Sequence, residues 1–220
     1  MPEAFASLEE VISDDRFPEV DLALRRGRHI GREDGTLYEY LSDALEILEP
    51  FYRRFGCELV QRSDGYCYLL PSGDRLGRRH LSAGEMLVGQ ALALMYLDPA
   101  SLASGRVIDR SSLLYRLEGL LGQEALQRIL LPRRRKFDER IAADAIRQQV
   151  GEASRKLAEL GFVDALDEGK LRLRPALMRF AEPVRALADP AVALSRLIAV
   201  GEMVLGGEDD PVAEGGDSSS

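Results

Sequence analysis

Basic side chains occupy every second position near residue 170. Lys170, Arg172 and Arg174 alternate with Leu171 and Leu173. Because successive side chains of a strand point to opposite faces, this spacing predicts a strand with an apolar inner face and a basic outer face. A row of exposed cations can bind the phosphate groups of nucleic acid, although an ordinary solvated surface has the same composition.

Two more basic groups precede this strand. One is a loop and the other is the face of a predicted helix that points away from its buried stripe. With the strand they form a candidate DNA-binding set of Arg133, Arg134, Arg135, Lys136, Arg140, Arg147, Arg155, Lys170, Arg172 and Arg174. Acidic residues interrupt the helix, so any single member is better explained as a solvated side chain. The set as a whole favours sequence-independent contact with DNA.

Catalytic motifs are missing from the sequence. It contains no phosphate-binding loop of the G-x-x-x-x-G-K-[ST] type, and its two histidines and two cysteines lack metal-ligand spacing. His29 and His80 are predicted to be capping or surface residues. A tight turn at Asp64-Gly65 would place Cys67 opposite Arg62, which leaves Cys57 and Cys67 as buried thiols without a disulfide. We therefore expect no enzymatic activity, no metal and no cofactor.

The elements that must position these residues recur as one unit. The apolar spacing predicts a helix over residues 36–55, with Pro50 bending or dividing it, and then a hairpin that Pro71 ends. A second helix over residues 138–160 precedes Gly161 and a hairpin that Pro175 ends. A helix followed by a two-stranded hairpin is the end of a winged-helix domain. The repeat predicts two such domains in tandem.

The rest of the chain supports a mainly α fold with two small β-hairpins. A helix over residues 82–99 should begin at the N-cap Ser82 and end before Pro99, and further helices are predicted over 110–131, 175–187 and 190–203. Loop-like composition near residues 71–82 marks the boundary between the domains. The predicted organisation is an N-terminal domain (1–76), a C-terminal domain with its wing at 162–175 (77–205) and a disordered acidic tail (206–220).

Charge and hydropathy restrict the location of the protein. The 220 residues carry a formal net charge of −8, and five of the 37 acidic residues lie in the tail, so the remainder has 29 bases and 32 acids. This near balance permits a local basic patch. No apolar run has the length of a membrane helix, and the N-terminus lacks the basic start of a signal peptide. A cytoplasmic protein is expected.

Several sequence blocks resemble the MukE/MksE family, the small subunits of bacterial MukBEF-type and MksBEF-type condensins. The first and longest block is "FPEVDLALRRGRHIG" at residues 17–31, and "FYRRFGCELVQRSDGYCYLLP" follows at 51–71. Shorter blocks occur at 157–163, 179–185 and 196–203. They keep their order and span most of residues 17–203, and an acidic C-terminal tail is also typical of the family.

The resemblance implies a function in chromosome condensation, segregation and partition. It implies a non-catalytic homodimer of tandem winged-helix subunits, dimeric through the first domain, that binds a MukF-like or MksF-like kleisin and through it a MukB-like or MksB-like SMC ATPase. It also implies a nucleoid-associated complex in which this subunit can lie against DNA. Two alternatives stay open: a subunit of a related plasmid-defence SMC complex, and a stand-alone winged-helix DNA-binding regulator.

One departure from the family pattern concerns the helix before the second wing. Gly151, Ala158 and Glu159 stand where the family is richer in arginine. DNA contact is then either weaker in this protein or moved to neighbouring residues. A second basic cluster, Arg25, Arg26, Arg28 and Arg32 around His29, is explained at least as well by the preference of helix C-termini for positive charge.

Overall fold

Two similar successions of helices and strands make up this computed structural model, which describes residues 5–72, 80–131 and 139–181. In the first half the elements are α1 (Leu8–Ser13), α2 (Phe17–Arg25), β1 (Ile30–Gly31), α3 (Thr36–Asp43), α4 (Leu45–Arg53), β2 (Cys57–Arg62) and β3 (Tyr66–Pro71). The three strands form an antiparallel sheet in the order β1-β3-β2.

The second half repeats this topology with two additions. Three helices stand between its short strand and its hairpin where the first half has two, and a short helix follows the hairpin. Its elements are α5 (Ala83–Leu97), α6 (Pro99–Ala103), β4 (Val107–Asp109), α7 (Arg110–Leu121), α8 (Gln123–Leu130), α9 (Glu139–Glu159), β5 (Val163–Ala165), β6 (Lys170–Leu173) and α10 (Met178–Ala181). Its sheet has the corresponding order β4-β6-β5. The predicted mainly α fold with two small hairpins is confirmed.

The strands β1 and β4 were not predicted from the sequence. They contain two and three residues, which is too short for an alternating pattern to be recognised. Each pairs with the second strand of the following hairpin, so Ile30 lies opposite Cys67 and Ile108 lies opposite Leu171. The hairpin is thereby tied to the helices that precede it.

The predicted helix over residues 36–55 is two helices, and the division is at Ala44 instead of Pro50. Ala44 has φ −91° and ψ −1°, which ends α3 and redirects the chain into α4. Its carbonyl still accepts the Leu48 N–H at 2.9 Å. The division lets α3 and α4 place Tyr40 and Tyr52 in the same buried core.

The first hairpin has a three-residue turn, which shifts its register by one from our expectation. Arg62 lies opposite Tyr66, so Cys67 faces Gln61 and not Arg62. Gly65 has φ +87°, the left-handed conformation that such a turn requires at this position. Both cysteines are buried and free, as predicted.

In the second half, α5 and α9 pack together at the centre. Ser82 caps α5 by accepting the Glu85 N–H, and α5 ends two residues before Pro99, as predicted. The predicted buried stripe of α9 is also confirmed, because Ile146, Val150, Ala153, Leu157 and Leu160 are all buried. Of the helix predicted over 175–187, residues 175–177 form a 3₁₀ turn and α10 follows.

The two halves meet at the C-terminal end of α9. The Leu160 carbonyl accepts the backbone N–H of His29 at 2.8 Å and its ring Nδ1–H at 2.9 Å. The next residue, Gly161, has φ +76°, and a Cβ there would collide with the His29 carbonyl. A residue with a side chain would therefore disrupt this joint.

The described residues all belong to one compact unit. Most of the predicted boundary near residues 71–82, the predicted helix over 190–203 and the predicted acidic tail lie outside the described residues. The division into domains at residues 76 and 77 stays a prediction.

Candidate nucleic-acid interface

The strand β6 has the predicted alternation over residues 170–173. Leu171 and Leu173 are buried, Arg172 is exposed and Lys170 is partly exposed. Asp164 of β5 lies directly opposite Arg172, and Asp109 of β4 lies opposite Lys170. The Lys170 Nζ is 3.0 Å from the Glu168 carboxylate. The outer face of the wing therefore carries acids as well as bases.

The prediction that Arg174 belongs to an exposed basic face is wrong. Its exposed fraction is only 7%. The guanidinium lies 2.6 Å from the Asp164 carboxylate and 2.9 Å from the Asp34 carboxylate. Arg174 lies on the same face of the hairpin as Arg172, because it contacts Asp164, which is opposite Arg172. At the Arg174 end of this face, Asp34 of the first half covers the side chain. Arg174 is therefore part of the joint between the halves.

Asp34 is the centre of this buried network. Its side chain also accepts hydrogen bonds from Arg28 at 2.7 Å and from the Gly31 N–H at 2.8 Å. Burial alone would lower the pKa of Arg174, but the hydrogen bonds to Asp164 and Asp34 outweigh it and raise that pKa. No local sequence pattern could reveal this partnership, because 140 residues separate Asp34 from Arg174.

The helix α9 presents its predicted basic residues to solvent. Arg140, Arg147 and Arg155 are all exposed on the side opposite the buried stripe, as predicted. The Arg147 guanidinium lies 2.7 Å from the Asp144 carboxylate, and Lys156 lies 3.1 Å from the Glu159 carboxylate. Such exposed pairs are worth about 0–1 kcal/mol each, so a phosphate can replace the carboxylate at small cost.

The helix and the wing are neighbours in space. Only Leu160, Gly161 and Phe162 separate α9 from β5, and the two elements pack against each other. The structure thus places Arg155 on α9 and Arg172 on β6 of the same half, and the intervening strand β5 contacts both elements. The loop residues Arg133, Arg134, Arg135 and Lys136 lie outside the described residues. The DNA-binding role of the set stays a prediction.

Two arginines of the second basic cluster, Arg25 and Arg28, form ion pairs with carboxylates of the same chain. The side chain of Arg25, the last residue of α2, lies 2.8 Å from the Asp21 carboxylate, and Arg28 pairs with Asp34. A basic residue at a helix C-terminus is favoured by the helix dipole, which agrees with the structural alternative considered above.

His29 is not a capping or surface residue, contrary to our prediction. It is buried among the rings of Tyr66, Tyr68 and Phe162, and its Nε2 accepts a hydrogen bond from Arg179 at 2.8 Å. Burial and the Arg179 charge lower the pKa of His29 to about 3. The ring is therefore neutral at physiological pH and acts as a structural link between the halves.

Other reactive chemistry is not evident in the described part of the chain. Burial raises the pKa of Cys67 to about 12, which keeps this thiol protonated. No cluster of three or more potential metal ligands occurs among these residues. None of the described helices is both long and apolar enough to cross a membrane.

Comparison with known proteins identifies the family. Residues 15–185 match the model of the MksE family, described as condensin complex protein MksE. The chain belongs to the MksE family. The curated relatives of this MksE-family chain include several proteins named chromosome partition protein MukE. The relative from Escherichia coli O157:H7 is 34% identical over 89% of this chain and 87% of its own length.

Two more of these relatives have a similar identity to the MksE-family chain over a similar share of its length. The protein from Vibrio cholerae serotype O1 is 34% identical over 93% of this chain and 87% of its own length. The protein from Actinobacillus succinogenes is 35% identical over 89% of this chain and 80% of its own length. The resemblance that begins at residues 17–31 is therefore confirmed at the level of the family.

Proposed function

We propose that this protein is a non-catalytic accessory subunit of a bacterial SMC–kleisin condensin complex that acts in chromosome condensation, segregation and partition. It binds a MukF-like or MksF-like kleisin, and through it a MukB-like or MksB-like SMC ATPase. The observation that carries this proposal is the family match over residues 15–185, together with the names of the relatives. The complex acts in the cytoplasm at the nucleoid.

The repeated topology supports two winged-helix domains. In each half a short strand precedes a pair or trio of helices, and a hairpin follows whose second strand pairs with the short strand. This arrangement matches the helix-turn-helix with an added β-wing. Family membership also favours a condensin subunit over a stand-alone winged-helix regulator. A neighbouring gene for a toprim-type nuclease would favour the plasmid-defence version of the complex.

A pull-down tests the partnership directly. The tagged chain is expected to retain a kleisin and a large coiled-coil ATPase from its own cells, and the ATPase should be absent when the kleisin is deleted. Retention of neither protein would contradict the proposed function, whereas retention of the ATPase without the kleisin would contradict the proposed order of contacts.

The first half has exposed apolar side chains that a homodimer interface could bury. Leu8 and Ile12 lie one turn apart on α1, and Leu22 is exposed on α2. Burying such side chains between two subunits would remove them from water. The first half therefore offers apolar surface for the proposed homodimer.

We expect the Ile12→Glu variant to be monomeric at micromolar concentration, where the unmodified protein is dimeric, because a charge would have to be buried in the interface. Native mass spectrometry measures this. Leu102→Glu is the matched control, since Leu102 is an exposed apolar residue of the second half, and it should leave the dimer intact. A monomeric unmodified protein, or equal behaviour of both variants, would contradict dimerisation through the first half.

The proposed DNA contact is weak and sequence-independent. We assign it to the candidate set without Arg174, because that residue is buried in ion pairs. Arg155 and Arg172 are exposed members of this set, one on α9 and one on the wing. Such contacts position a protein on the DNA backbone without reading its sequence.

We expect Arg155→Glu/Arg172→Glu to weaken binding of a DNA duplex. The slope of log affinity against log salt should become shallower by about 0.9 for each phosphate that the variant no longer binds. Fluorescence anisotropy at several NaCl concentrations measures this. The control Arg116→Glu/Arg128→Glu makes the same charge change at exposed residues of α7 and α8. Equal affinity and slope for the two double variants would disprove the location of the contact.

A further inference from the structure

Arg110 lies where the short strand β4 meets the helix α7. It is the first residue of α7 and follows directly after β4. Because β4 pairs with β6, Asp109 lies opposite Lys170, and Arg110 is the next residue along the chain. Arg110 therefore begins its helix beside the basic strand of the wing.

The side chain of Arg110 reaches α9 on its other side. Its terminal nitrogen Nη1 lies 3.8 Å from the position that a Cβ of Gly151 would occupy. Gly151 is buried, although Arg147 and Arg155, four residues away in each direction on the same helix face, are exposed. The Arg110 guanidinium thus covers α9 between two exposed arginines.

The charge of Arg110 is not neutralised within the described part of the chain. No carboxylate there forms an ion pair with it, and its buried Nε has no hydrogen-bond partner. An unmade hydrogen bond at a buried donor is unfavourable, and this cost falls when an anion approaches the guanidinium and draws its donors outward. Packing over Gly151 alone would need no cation.

We propose that Arg110 is a DNA-contact residue that places a positive charge over Gly151, between Arg147 and Arg155 of α9. The helix has no side chain of its own at Gly151, and the structure supplies a cation to that place from α7. Arg147, Arg110 and Arg155 then form one row, and Arg110 connects this row to Lys170 and Arg172 of the wing. The ligand is a backbone phosphate of a DNA duplex, so this inference rests on the proposed DNA contact.

The proposal is tested by removing the charge of Arg110 and then restoring a charge at Gly151. The measurement is the fluorescence anisotropy of a fluorescein-labelled DNA duplex at several NaCl concentrations. Arg110→Gln should lower the affinity several-fold and make the salt slope shallower by about 0.9, the value for one phosphate contact. Adding Gly151→Arg to Arg110→Gln should restore both, because it places the charge directly on α9. Arg116→Gln, on the same helix and exposed, should leave both unchanged.

Arg110→Lys separates charge from packing. It keeps the cation but not the shape that covers Gly151, so near-normal DNA binding by this variant supports the contact. The inference would be overturned if Arg110→Lys and Arg110→Gln both bound DNA weakly, or if both bound it as the unmodified protein does. If those variants bind as the unmodified protein does while Arg155→Glu/Arg172→Glu is impaired, only the assignment of Arg110 fails. If the unmodified protein does not bind DNA at all, the proposed DNA contact fails with it.

Discussion

Replacing Arg174 with methionine should lower the free energy of unfolding by about 3 kcal/mol. The reason is that removal of one partner from a buried ion pair leaves the other charge uncompensated, which typically costs about 3–5 kcal/mol. Arg28 and the Gly31 N–H still contact Asp34 in the variant, so we expect the lower end of this range. Urea unfolding followed by circular dichroism measures the change.

Arg172→Met is the matched control for Arg174→Met. It removes the same side chain two residues earlier on the same hairpin face, where the guanidinium is exposed. Its effect should stay within about 0.5 kcal/mol, as for most surface substitutions. Combining Arg174→Met with Asp164→Asn should cost less than the two single changes added together, because they share one ion pair. Equal stabilities of the two methionine variants would contradict the buried network.

Acid should destabilise the protein through His29. Its pKa is about 3 in the folded protein, against an ordinary value of 6.5. Between these two pH values the unfolded chain binds a proton that the folded protein does not, so this contribution to stability is complete above pH 6.5 and is lost as the pH falls towards 3. The expected loss is about 1.4 kcal/mol per pH unit within this window.

The His29→Asn variant isolates this contribution. Its amide can donate to the Leu160 carbonyl but does not take up a proton in the same range. We expect it to be less stable than the unmodified protein at pH 7.5 and to lose less stability between pH 6 and pH 4, as measured by urea unfolding at each pH. The exposed residue His80 is the same in both proteins. Parallel stability curves for the two proteins would show that His29 does not carry the acid sensitivity.

Local patterns were sufficient to predict most elements of the fold. The stripe from Ile146 to Leu160 predicted α9 because one helix face is continuously buried. Ser82 predicted the start of α5 because its side chain accepts a hydrogen bond from the first turn. The short strands β1 and β4 could not be found in this way, since their stability comes from pairing with a distant hairpin.

The candidate site shows the same limit. Alternation placed Arg174 on the correct face of its hairpin, but it could not reveal that Asp34 covers this face from the other half. Alternation likewise carried no information about Arg110, whose position over Gly151 depends on how α7 crosses α9. Charge periodicity identifies the face of an element, whereas tertiary packing decides which of its charges meet solvent.

The joint around His29 and Arg174 has a consequence for fragments and chimaeras of this protein. A fragment that begins after the first half would lack Asp34, and its Leu160 carbonyl would be without the two donors of His29. Halves exchanged between relatives would fold together only if both sides of these contacts were exchanged as a set. Two fragments expressed separately should instead recombine, since each carries the groups that complete the other.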